Sequence, residues 1–150
     1  MTTTRSLAMM VAALLVAGCY NFSTPQYRPG DTRQVTEALI AHGVGITASV
    51  SGETACNDPG LVGNAVHLSV STAADPTVLD LYLYTFKSSK WDESKDAVDR
   101  CEDEYAPTLP PTMVTKRVDI PTYRAFGAGW SEDLAQRIEA ALAQASSEGR

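Results

Sequence analysis

The chain has few of the residues on which site chemistry usually depends. Its 150 residues include only two histidines, His42 and His67, and three cysteines, Cys19, Cys56 and Cys101. No Cys or His cluster has the spacing of a zinc site, and no Cys-x-x-Cys pair points to redox catalysis. Gly-x-Ser-x-Gly and Ser-x-x-Lys, two signatures of an activated serine, are also missing. Basic residues are scarce, with 12 Lys and Arg against 18 Asp and Glu. An acidic chain without clustered Lys or Arg is a poor partner for nucleic acid or anionic lipid head groups. Distant carboxylates can still assemble an acid-base pair, so the missing motifs weaken the case for an enzyme without removing it. No apolar run reaches the roughly 20 residues that span a bilayer.

A short apolar run is present, from Leu7 to Ala17, with Arg5 before it and Gly18-Cys19 after it. A positive start, a short core and small residues ahead of a cysteine are the parts of a signal peptide. Leu15-Val16-Ala17-Gly18-Cys19 resembles the lipobox of bacterial lipoproteins. The resemblance implies removal of residues 1–18, lipidation of Cys19 and attachment to the extracytoplasmic side of a bacterial membrane, in the cell envelope. Two acyl chains, each buried methylene contributing roughly 0.8 kcal/mol, would make that anchor stable. The expected organisation is a signal peptide over 1–18, a lipidated cysteine and tether over 19–30, and one domain over 31–150. Tyr20 to Gly30 contains Ser23-Thr24-Pro25 and Pro29-Gly30 without helical or strand period. Fully extended, this tether reaches at most about 36–40 Å.

If Cys19 carries lipid, Cys56 and Cys101 remain, and an oxidising compartment favours a single bridge between them. Closing a loop of that length would disfavour the unfolded chain by roughly 4 kcal/mol on the chain-entropy model. Cleavage leaves 132 residues with a formal charge of −7, because Arg5 is the only charged residue before Cys19. That size fits one domain with its own core.

Periodicity sets the expected elements. Asp31 and Gln34 form a capping box ahead of Val35, Ala38 and Leu39, and Gly43 ends this first helix. Val44, Ile46, Ala48 and Val50 alternate with small polar residues as a first strand, expected to share one face. A turn-rich loop, Glu53 to Asn64, needs the staple that Cys56 supplies. Val66, Leu68 and Val70 mark a second strand, and Ala73 to Thr77 a hairpin connection to a third, Val78 to Lys87. In that strand Leu79, Leu81 and Leu83 oppose Val78, Asp80, Tyr82, Tyr84 and Phe86. Ser89 to Tyr105 is expected as a helix, with Trp91, Ser94, Val98, Cys101 and Tyr105 on one stripe. Its many acids lie on a straight helix and cannot converge on one calcium ion.

Met113 to Ile120 follows as a strand interrupted by Lys116, which suggests a sheet edge. Pro121 then makes a turn before a short strand, Thr122 to Phe126. Gly127-Ala128-Gly129 lacks the third glycine of a dinucleotide site, and the acids after Trp130 would repel phosphate, so it reads as a tight turn. Ser131 caps a final helix with Leu134, Ile138, Ala141, Leu142 and Ala145 on its buried face. The order αβββαββα predicts an α+β, two-layer sandwich with a mainly antiparallel sheet of about five strands and three helices. A cystatin-like arrangement is the alternative. The two domain cysteines and the Gly-x-Gly-Trp approach also resemble small bacterial lipoproteins, a likeness that implies no activity.

Two functional readings follow. In the first, Tyr82, Tyr84 and Phe86, with His67 beside them, form an aromatic binding surface for an envelope protein, a peptide or a cell-wall ligand. In the second, an envelope enzyme or small-molecule carrier assembles a site from His67, Asp80 and Arg117. Neither reading calls for a metal or a cofactor.

Overall fold

The computed structural model describes residues 31–148. The expected signal peptide, Cys19 and the tether lie outside the described residues. Helix α1 spans Thr32–Ala41, and its capping box forms as the sequence predicts: Gln34 N–H donates to Asp31 Oδ1 (2.8 Å) and Asp31 N–H to Gln34 Oε1 (3.2 Å). Strand β1 (Val44–Ser51) leads through a short helix α2 (Pro59–Val62) to β2 (Ala65–Thr72) and β3 (Leu79–Thr85). A 3-10 turn precedes α3 (Lys95–Tyr105), and β4 (Thr115–Ile120), β5 (Tyr123–Ala128) and α4 (Glu132–Glu148) complete the order. Leu134 N–H donates to Ser131 Oγ at 3.1 Å, capping α4 as anticipated. The chain is therefore α+β, with one five-stranded, fully antiparallel sheet in the order β1-β2-β3-β5-β4.

Strand alternation gives the sheet two faces, and helices cover both of them. Leu68, Leu81, Leu83 and Ala125 pack with Val35 and Leu39 of α1 and Ile138 and Leu142 of α4. Their sequence neighbours Tyr84 and Phe126 point the opposite way, into a second core with Leu61, Val98, Cys101 and Tyr105. The arrangement is thus one layer deeper than the expected sandwich, and α2 adds a fourth helix. The cystatin-like alternative does not form, because α1 and α4 lie side by side on one face. Trp130 enters that aliphatic core over Gly127, where a Cβ would stand 2.6 Å from the indole and 2.1 Å from the Asp80 carbonyl oxygen. Gly129, at φ +72°, makes the turn that brings it there, so the Gly-x-Gly-Trp segment serves packing.

β1 departs from its expected pattern. Its register with β2 shifts between Ile46 and Ala48, which leaves Thr47 as an extra residue. One inserted residue reverses which side chains face which layer. Val44 and Ile46 therefore lie on the α1/α4 face, whereas Ala48 and Val50 turn to the α3 face and Val50 is 47% exposed. The expectation that all four share one face fails at this bulge.

Candidate functional site

One cross-strand row on the α3 face carries three of the residues that the sequence singles out, His67, Tyr82 and Arg117. Val50, His67, Tyr82, Phe126 and Arg117 are successive partners across β1, β2, β3, β5 and β4. His67 stacks on Tyr82, with ring centroids 4.6 Å apart and 13° between planes, and Tyr105 meets Tyr82 edge-on at 5.3 Å. His67 Nε2 lies 2.8 Å from Asp80 Oδ1, and Nδ1 lies 3.2 Å from Glu53 Oε2. The sequence paired His67 with Asp80; it did not identify Glu53, which sits in a loop with no period of its own.

Both imidazole nitrogens are thus engaged by carboxylates, which leaves neither ring nitrogen open to activate a hydroxyl or thiol. The two carboxylates also approach opposite edges of the ring, so they do not converge on a cation. Among the described residues no group of three or more His, Cys, Asp or Glu has a geometry that could hold a metal ion.

Arg117 belongs to a different network. It is separated from His67 by three strand spacings, about 14 Å. Its guanidinium bonds Asp99, reaches Glu102 Oε2 at 3.3 Å and lies 3.1 Å from Asp119 Oδ2. Arg124, buried on the same face, donates to Ser94 Oγ (3.2 Å) and the Trp91 carbonyl (2.9 Å), and its guanidinium sits 3.8 Å from the Trp91 ring centroid. The structure therefore brings His67 and Asp80 together and leaves Arg117 apart, employed in tying α3 to β4.

The aromatic surface does not form as expected. Tyr84 is fully buried and Phe86 is 7% exposed, because α2 and α3 cover the end of the sheet where they lie. Cys56 and Cys101 hold that cover in place through a disulfide with Cα atoms 5.0 Å apart. The bridged Cys101 sulfur has no proton, so at 3.2 Å it accepts from the Tyr84 hydroxyl, which in turn accepts from Ala55 N–H at 3.3 Å. Burial pushes the Tyr84 phenol up to about 12; burial, aided by the Asp80 charge, does the same to Tyr82. Both phenols consequently stay protonated at neutral pH and act as packing groups with a donor tip.

Two grooves open near these elements. The first, of about 360 Å³, lies between α2 and the start of α3, with Leu61 and Phe86 in its lining and Lys87, Lys90 and Asp58 among its polar residues. Lys90 is paired with Glu93 at 2.6 Å, and neither His67, Asp80 nor Arg117 reaches this groove. The second, of about 390 Å³, continues from the end of β1 and is lined by Asp31, Thr32, Ser51, Gly52 and Val62 among others. Among the described residues no Lys or Arg lines it.

β1 itself is an edge of the sheet, and its second half is exposed on both faces. It contains no charged residue, whereas the opposite edge, β4, carries Lys116, Arg117 and Asp119. That asymmetry was present in the sequence, but it has meaning only once the strand order places β1 at an edge. Comparison with family models, with curated proteins and with solved structures finds no match for this chain.

Proposed function

We propose that this chain is a lipid-anchored protein of the bacterial cell envelope whose folded body is a binding module. The observation that carries the module reading is the contrast between its polar clusters and its sheet edge. His67 and Arg117 are both committed to neighbouring carboxylates, while β1 offers an uncharged edge that no other described strand pairs. Such an edge is a template for another strand. The Cys56–Cys101 bridge supports an oxidising compartment and leaves Cys19 as the remaining cysteine, next to the lipobox-like Val16-Ala17-Gly18. No helix among the described residues is long and apolar enough to cross a membrane, and in this reading the attachment is made through Cys19.

The test is intact mass of the membrane-extracted protein, with thiol labelling before and after reduction. The reading expects a chain that begins at Cys19 and carries acyl mass, with Cys56 and Cys101 labelling only after reduction. It also expects Cys19→Ser to move the protein from the membrane pellet to the soluble fraction. An unlipidated chain with free thiols would overturn it.

A further inference from the structure

We propose that β1 binds an extended peptide segment of a partner protein, one that carries both apolar and basic side chains on the strand face that continues the Val50 side, by strand addition. This rests on the binding-module reading and names the surface and the chemistry of its partner. Gly52 N–H donates to the Ala65 carbonyl at 2.8 Å, which fixes the hydrogen-bonding phase of this end of the ladder. Through the register Val50↔His67 and Ala48↔Ser69, alternate residues of an antiparallel pair turn toward β2. Ser49 and Ser51 therefore direct their backbone N–H and C=O away from the sheet, where an incoming strand can pair with them.

The surroundings define what that strand carries. Val50 and Val62 are 47% and 45% exposed, and Val62 lies over Gly52, 3.4 Å from where its Cβ would be. Val50 on the α3 face and Val62 at the Gly52 turn that ends the edge make places for apolar side chains of the incoming strand. Glu53 and Asp80, each nearly half exposed, stand around the His67 ring beside Val50. Among the described residues, Asp31 is the only charged one in the groove that prolongs the edge. Carboxylates at this end of β1, with no Lys or Arg among the described residues of the groove, complement basic residues and oppose acidic ones. A second copy of the chain, net charge −6, brings acid against acid and is the less favoured occupant.

The experiment uses the purified full chain with its disulfide intact and two labelled ten-residue peptides, one repeating Val-Ser-Lys-Ser, so that Val and Lys share a face, and its counterpart with Glu in place of Lys. Amide exchange and fluorescence anisotropy are the readouts. The Lys peptide is expected to slow exchange at Ser49 and Ser51, and the Glu peptide to bind at least about tenfold more weakly, near 1.4 kcal/mol. Ser49→Pro removes an outward N–H that the fold does not use, and it should weaken the Lys peptide by about tenfold with little change in unfolding midpoint. Val50→Lys keeps the outward backbone donors and places a cation on the face of Glu53 and Asp80, so it should weaken the Lys peptide selectively, and the proposal remains testable if the proline variant does not fold. Protection confined to the groove between Phe86 and Ala97 overturns the β1 assignment and leaves the module reading standing. No protection from either peptide overturns the assignment, as does a dimer that Ser49→Pro dissolves in the absence of peptide binding.

Discussion

The two faces of the sheet are held by different means. On the α1/α4 face the core is aliphatic, built from Leu, Ile, Val and Ala side chains with Trp130 and Tyr123, and stabilised by the apolar area that two amphipathic helices bury. On the α3 face the core is smaller and aromatic, and it depends on a disulfide, on Arg117 bonded to Asp99, and on Arg124 beneath Trp91. α3 has only Val98, Cys101 and Tyr105 to bury and carries acids over much of its remaining surface. Apolar burial alone gives such a helix little hold, so directional bonds and a covalent link take over. The difference shows how one small domain covers both faces of a sheet when it has only enough aliphatic side chains for one.

Opening the bridge should break the comparison most strongly. Cys56→Ala with Cys101→Ala is expected to cost about 4 kcal/mol in urea unfolding, with amide exchange rising in α2 and α3 while α1 and α4 stay protected. Loss of protection on both faces together would show that they are not separately held. Ile138→Ala, at a fully buried position of α4, should cost about 3–4 kcal/mol and leave the disulfide intact.

Acid should distinguish the faces further. Burial raises the Asp99 carboxyl, but the hydrogen bonds and charges of Lys95 and Arg117 together outweigh it and hold it below the ordinary aspartate range. A folded pKa below the unfolded one contributes stability above the unfolded value and loses it as pH falls through the folded one. Stability should therefore fall as pH drops from about 4, and Asp99→Asn should flatten that part of the profile measured by thermal unfolding. The smallest expected effect is at Thr122, which turns the β4–β5 hairpin at φ 78° with its hydroxyl buried and unpartnered. Thr122→Val keeps the shape, removes the orphan hydroxyl and should gain up to about 1 kcal/mol by the same unfolding assay.

What the sequence made legible were the locally encoded parts. The Asp31–Gln34 capping box, the α4 face and the Val98, Cys101 and Tyr105 part of the α3 stripe each depend on residues a few positions apart, and each appears in the structure; the expected helix start at Ser89 does not, because Ser88–Lys90 forms a 3-10 turn and α3 begins at Lys95, which leaves Trp91 ahead of it. The strand of Leu79, Leu81 and Leu83 was readable for the same reason. The bulge at Thr47 was not, because Ala48 and Val50 continue the alternation unbroken and only pairing with β2 reveals the extra residue. The cover over Tyr84 and Phe86 was equally hidden: Cys56 and Cys101 announced a bridge but not the face on which it would hold α3. His67 and Asp80 were singled out together, whereas Glu53, which completes their cluster, lies in a loop. Arg117 was placed with them by residue type, and the strand order β3-β5-β4 carried it two strands away from Asp80.

The two edges of the sheet differ as sharply as its faces, and function in this account depends on that difference. β4 is guarded by Lys116, Arg117 and Asp119 and packed against α4, while β1 has no charged residue and, among the described residues, no cover along its second half. The most direct test is photo-crosslinking in cells that express the protein, with a photoreactive residue placed at Ser51 in one strain and at Thr115 of β4 in another. A discrete higher-mass adduct from Ser51, lost on Ser49→Pro and not seen from Thr115, is the predicted result. Adducts from Thr115 with none from Ser51 would contradict the claim that β1 is the binding edge.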